Sequence, residues 1–239
     1  MRCLVPQFLL LHARDIYNRH APRTVRDIRH CPLLLQLPHY PPVILMPAEE
    51  IRSYLHRLRP YLITSIVLFG VGLVIGLMIV NRFPQMADTF ESSLASFIKI
   101  FRGLPKFKLA AAIFVNNTVK TLGVILLGTL FGVIPAFFLI VNGAVLGMVL
   151  SLSGQVRGVW VSLLSLLPHG ILELPAVFLG TAIGIMMGTS IARKLFTQST
   201  SKIGTELGHA LKFFCTVIVP LLLVAAIVEA YVAPVLATR

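Results

Sequence analysis

Residues 159–192 read VWVSLLSLLPHGILELPAVFLGTAIGIMMGTSIA. As one α-helix at ~1.5 Å per residue this stretch would reach ~51 Å, against a bilayer hydrocarbon core of ~30 Å. It is too apolar to stand in water and too long to cross a membrane once, so the sequence predicts a Pro/Gly break within it. Pro168 has no N–H to donate and Gly170 is a weak helix former, which puts the break at 168–170. Residues 159–167, led by Trp160, then form a short interfacial or re-entrant piece, with tryptophan at headgroup level. The same break sets His169 and Glu173, two ionisable groups, at the mouth of a span where solvation is poor.

The rest of the chain follows the same pattern. Of its 239 residues 56% are hydrophobic and only 13% charged, and mean hydropathy is +0.87. Apolar runs of spanning length lie at 61–80, 109–131, 135–151, 170–192 and 211–232. The fold class is therefore all-α, a polytopic membrane helix bundle of about five transmembrane helices with interfacial amphipathic helices. Residues 109–151 are too many for one helix and enough for two, joined by a tight hairpin at Gly132-Val133-Ile134-Pro135. Small residues four apart recur as Gly72/Gly76, Gly128/Gly132, Gly143/Gly147 and Gly180/Gly184/Gly188. Such pairs let helix backbones approach closely, here for packing within the chain or, alternatively, for a homo-oligomer face.

Between the first two spans, Met86, Phe90, Leu94, Phe97, Phe101 and Leu104 recur three or four apart, while Asp88, Glu91, Lys99 and Arg102 take the other faces. That is an amphipathic interfacial helix, packed over the span ends or docking a partner or a lipid surface. Residues 1–45 hold six prolines, six arginines and four of the seven histidines without a helical period, and little fixed structure is expected there. Met46-Pro47-Ala48-Glu49-Glu50 opens a helix with proline and acids in the first turn. The domains are thus an N-terminal extension, 1–45, and a membrane domain, 46–239, with Met46 as the expected natural start. Intact mass of the protein expressed from its native gene checks that start.

The net charge of +12 sits in segments flanking the spans, where anionic lipid and the positive-inside bias account for it; nucleic acid is not an expected partner. Arg52, Arg57 and Arg59 precede the first span and Arg82 follows it. This places the N-terminus inside and the C-terminus outside a cell membrane. Cys3, Cys31 and Cys215 are odd in number and make no disulfide framework.

Polar residues inside the spans are few: Asn116, Asn117 and Lys120 in the second, Asn142 in the third, Glu173 in the fourth and Glu229 in the fifth. Measured from the carboxy-side membrane face, Glu173 lies ~5 Å deep, Glu229 ~6 Å, Asn116 ~10 Å, Asn142 ~14 Å and Lys120 ~17 Å. A buried polar cluster joining spans two to five is expected, with Lys120 rising to pair with Glu173 or Glu229 and His169 joining if the helix extends back to it. Three readings compete. The cluster holds helices together, or it lines a solute or proton path, or it is catalytic. For the last, His169 and Glu173 give a metal only two ligands where a catalytic zinc takes about three. No nucleophile motif or phosphate loop is present. No enzyme activity, cofactor or metal is expected.

The ordered set of Phe114-Val115-Asn116-Asn117, the glycine-rich hairpin with Pro135, Asn142-Gly143 through Gly147, Pro168-His169-Gly170, Glu173-Leu174-Pro175-Ala176 and Glu229 resembles the stage II sporulation protein M family. The resemblance covers about residue 47 to the end. It implies a polytopic protein of the cell membrane, known from spore formers as a membrane partner of cell-wall-degrading proteins in engulfment. A non-enzymatic scaffold or assembly partner is the function it implies, with other membrane or cell-envelope proteins as partners; a small-solute or proton transporter is the alternative.

Overall fold

The computed structural model describes residues 45–101, 103–197 and 203–231, without the side chains of 95, 97, 98, 100, 101, 165–169 and 197. The elements below belong to the compact unit Val43–Arg239; the expected N-terminal extension lies outside the described residues.

Helix α1, Ala48–Arg82, begins after Pro47 with Glu49 and Glu50 in its first turn, where acids favour the helix dipole. It passes through Pro60 and stops at Phe83 because Pro84 follows. Pro84 opens α2, Pro84–Phe101. Helix α2 ends before Leu104, so that residue of the expected amphipathic stripe falls in the turn at Gly103. Helix α2 lies against α1 and the later helix Val133–Arg157, leaving a groove of about 520 Å³ lined by Ile79, Met86, Phe90 and Met148. Helix α3 is Lys106–Leu127 and α4 is Val133–Arg157. The turn between them needs left-handed backbone at Phe131 (φ 54°) and Gly132 (φ 72°), which glycine adopts without strain.

Helix α5 corrects the first expectation. It runs from Val159 to Thr197 as one 39-residue helix, through Pro168, Gly170 and Pro175. The chain is not interrupted at 168–170. A membrane helix tolerates internal proline because neighbouring helices and local adjustments satisfy the freed carbonyls. The length problem is met differently: Gly170–Phe196 is by itself long and apolar enough to cross, and the first turns of the helix carry exposed Val159, Trp160, Val161 and Leu164. The last span, Ile203–Tyr231, consists of α6 (Ile203–Phe213), a π-helical segment (Phe214–Ile218) and α7 (Val219–Tyr231). The π turn stands directly before Pro220, whose ring would strike the carbonyl of residue 216 in a regular helix.

Among the described residues five helices are thus long and apolar enough to cross a membrane, and their contacts fix how they alternate. A Cβ added at Gly72 or Gly76 would strike the backbone of Ile140 or Ala144, and one at Gly143 or Gly147 that of Phe69 or Leu73. Residue numbers rise together along both helices, so α1 and α4 run parallel. Gly180 meets Thr121 and Gly184 meets Val124 in the same sense, so α3 and α5 are parallel too. Lys106, first in α3, lies over the ring of Tyr231, last in α7, so those two are antiparallel. Up and down directions therefore alternate from α1 to the α6–α7 span.

Helix α5 is the axis of the bundle: residues 180–188 are all buried. On one side Ile183 and Met187 pack with Tyr54, Leu58, Ile125, Phe213, Ile218 and Leu222. On the other, Ile185 packs with Phe69 and Leu139. Two polar contacts, the first buried and the second half-buried, tie α1 to α5. Thr181 Oγ1 lies 3.3 Å from Ser65 Oγ, and Thr189 Oγ1 donates to Tyr61 Oη at 3.2 Å.

Candidate functional site

The polar residues of the spans fall into three places. Asn142 of α4 and Glu173 of α5 line one cleft of about 380 Å³ between α1, α4 and α5. Its walls are otherwise apolar, including Phe69, Leu73, Leu146 and Val177. Asn142 Nδ2 donates to the carbonyl of Phe138 at 2.7 Å, which fixes the amide against its own helix and leaves its oxygen available to the cleft. A carboxylate and an amide in an apolar recess can select a small cation or hold a proton.

The second place is the outer face of α3. Asn116 and Lys120, one turn apart, are both exposed, and Asn117 is half-buried. Asn116 Nδ2 donates to Asn117 Oδ1 at 3.1 Å. The inward face of the same helix is formed by Thr121, Val124 and Ile125, so packing of those residues turns Asn116 and Lys120 away from the bundle. Among the described residues no ion pair or hydrogen bond engages Lys120. Glu229 is the third case. It is half-buried on α7 two residues before Tyr231, and Tyr231 is level with Lys106. Lys120 is 14 residues further along α3, so the two groups stand ~18 Å apart along the bundle axis.

The expected single cluster is therefore divided. Asn142 and Glu173 come together; Asn116, Asn117 and Lys120 share another helix; Glu229 lies at one end; the side chain of His169 is outside the described residues. The predicted glycines do meet across helices: Gly128 against Gly184, Gly132 against Gly188, Gly143 and Gly147 against α1, and Gly180 against Thr121. Among the described residues no three metal-ligating side chains lie together.

Sequence reasoning missed a clasp at the amino-side rim. Arg57 Nη1 donates to Glu206 Oε1 at 2.9 Å, and His209 Nε2 lies 3.3 Å from Glu50 Oε1. The N–H of Met46 donates to Thr216 Oγ1 at 2.9 Å. These contacts join the start of α1 to α6 and the π turn. The signal was present: opposite charges precede the first and last spans, and an odd number of crossings puts both starts on one side.

Residues 65–234 match the family model described as stage II sporulation protein M. The chain belongs to this family. The stage II sporulation protein M match begins inside α1 and takes in the cleft, the α3 outer face and Glu229, while Glu50 and Arg57 of the clasp precede it. The chain is also similar to an uncharacterized protein of Methanocaldococcus jannaschii, 25% identical over 182 residues, covering 74% of this chain and 96% of the relative. No solved structure matches at a comparable level. Membership and the five apolar helices together make this a multi-pass membrane protein of the stage II sporulation protein M type.

Proposed function

We propose that the protein is a non-enzymatic membrane scaffold or assembly partner, seated in the cell membrane with its N-terminus inside and its C-terminus outside. The observation that carries this is the orientation of Asn116 and Lys120, which are polar, deep in a span and exposed. Ionisable residues within spans almost always face a bundle interior or a water-filled cavity, because a lysine at mid-membrane is costly in hydrocarbon. A face that breaks this rule in the isolated chain is completed by another helix. The family's tie to cell-wall remodelling in spore formers makes envelope proteins the expected class of partner. For orientation, the basic residues Arg52, Arg57 and Arg59 ahead of the first span support an inside N-terminus.

Gentle solubilisation of the native membrane tests the role. A scaffold copurifies with a stoichiometric partner; a partner-free preparation that moves a solute or protons across liposomes overturns it. The Asn142–Glu173 cleft supports a second reading, transport of a small solute or proton. Under that reading Glu173→Gln abolishes flux in liposomes while the folded yield stays unchanged.

A further inference from the structure

Lys120 lies 14 residues from Lys106 and seven from Leu127, the two ends of α3. That is ~21 Å from one end and ~10 Å from the other, with the turn at 128–132 adding to the shorter side. Helical side chains lean toward their own N-terminus, so the ammonium is directed toward the more distant end. Snorkelling to headgroups is therefore a poor solution for this lysine. Its neighbours on the outer face suit a helix instead. Gly123, one turn on, has nothing within 4 Å of the position a Cβ would take, which allows another backbone to come close. Val119, Leu126 and Leu127 beside it are exposed and apolar. Asn116, Val119, Lys120, Gly123 and Leu127 thus make a stripe with the three- and four-residue spacing of a helix contact.

Charge decides the occupant. A second copy of this chain, related by an axis along the membrane normal, would bring Lys120 to the level of its counterpart. The acids of the spans are elsewhere: Glu173 lines the cleft between α1, α4 and α5, and Glu229 is near the far end of α3. We infer that the Asn116–Lys120–Gly123 face of α3 receives a transmembrane helix of a partner protein that presents an aspartate or glutamate at mid-membrane, paired with Lys120. This rests on the scaffold reading and names the chemistry of the partner's helix.

The probe is a synthetic leucine-rich transmembrane peptide of about 20 residues with one central aspartate, carrying a fluorescent donor. The full chain, with an acceptor at its C-terminus, is reconstituted in phosphatidylcholine vesicles. The aspartate peptide is expected to associate about tenfold more tightly than the same peptide with central leucine. Lys120→Met is expected to remove the difference and Lys120→Arg to keep it, with helical circular dichroism unchanged in both. Equal transfer to the two peptides, or preference surviving Lys120→Met, overturns the inference. So does saturable transfer between two copies that excludes the peptide, which assigns the face to self-association. The native partner separates this from the scaffold reading: a partner that still copurifies with Lys120→Met leaves the scaffold standing and refutes this contact, whereas no partner at all refutes the scaffold.

Discussion

Two glycines five residues apart, Gly123 inside helix α3 and Gly128 capping its end, meet opposite surroundings. At Gly128 a Cβ would collide with the backbone of Gly184 on α5; at Gly123 it would meet nothing within 4 Å. The same division runs through the polar residues, with Asn142 and Glu173 turned into a cleft and Asn116 and Lys120 turned out. All four lie in the membrane-spanning part of the chain and differ in azimuth. The lesson is that the inner face of this bundle is closed by its own backbone contacts, whereas the outer face of α3 exposes Asn116 and Lys120 beside open space at Gly123.

The sharpest way to break this contrast is to make one change at both glycines. Gly128→Leu should destabilise the fold by about 3 kcal/mol, because α3 and α5 must separate to admit the side chain. Gly123→Leu should change stability by less than about 0.5 kcal/mol while abolishing binding of the aspartate peptide. Titration with a denaturing detergent reads both. Equal losses would mean that α3 has no open face. A smaller effect is expected at the polar pair: Glu173→Ala should lower stability by about 1 kcal/mol, whereas Lys120→Met should leave the folded yield unchanged or raise it. The rim sets the lower limit. Arg57→Ala removes a partly exposed ion pair to Glu206 and should cost less than about 1 kcal/mol, the loss shrinking further in high salt.

Much of the fold was legible because hydrocarbon thickness is a ruler. Five apolar runs and the hairpin before Pro135 follow from residue counts at a fixed rise. Azimuth does not. Residue counts put Lys120, Glu173 and Glu229 in one half of the membrane without saying whether they face one another: which side of α3 is inward depends on Thr121, Val124 and Ile125 finding α5. The break at 168–170 failed for a related reason. Length forbids 39 residues inside the hydrocarbon, but it does not forbid a helix that continues past it with Val159, Trp160 and Leu164 exposed. The family resemblance reached the correct family because it rested on the order of motifs along the chain, a property that needs no azimuth.

The π turn at Phe214–Ile218 has a consequence for the helical phase of the last span. Buried positions run Ala210, Phe213, Phe214, Ile218, Leu222, Ala225 and Ala226, so the stripe is displaced by one residue where the turn lies. One residue is about 100° of rotation in an α-helix. The segment therefore works as a fixed phase-shifter: it lets α6 keep Ala210 and Phe213 inward while α7 keeps Leu222 and Ala225 inward. A one-codon deletion inside the turn would let a regular α-helix run through it with the same inward stripe, whereas a one-codon deletion in α7 would rotate everything after it, Glu229 included where the deletion precedes it, by about 100°.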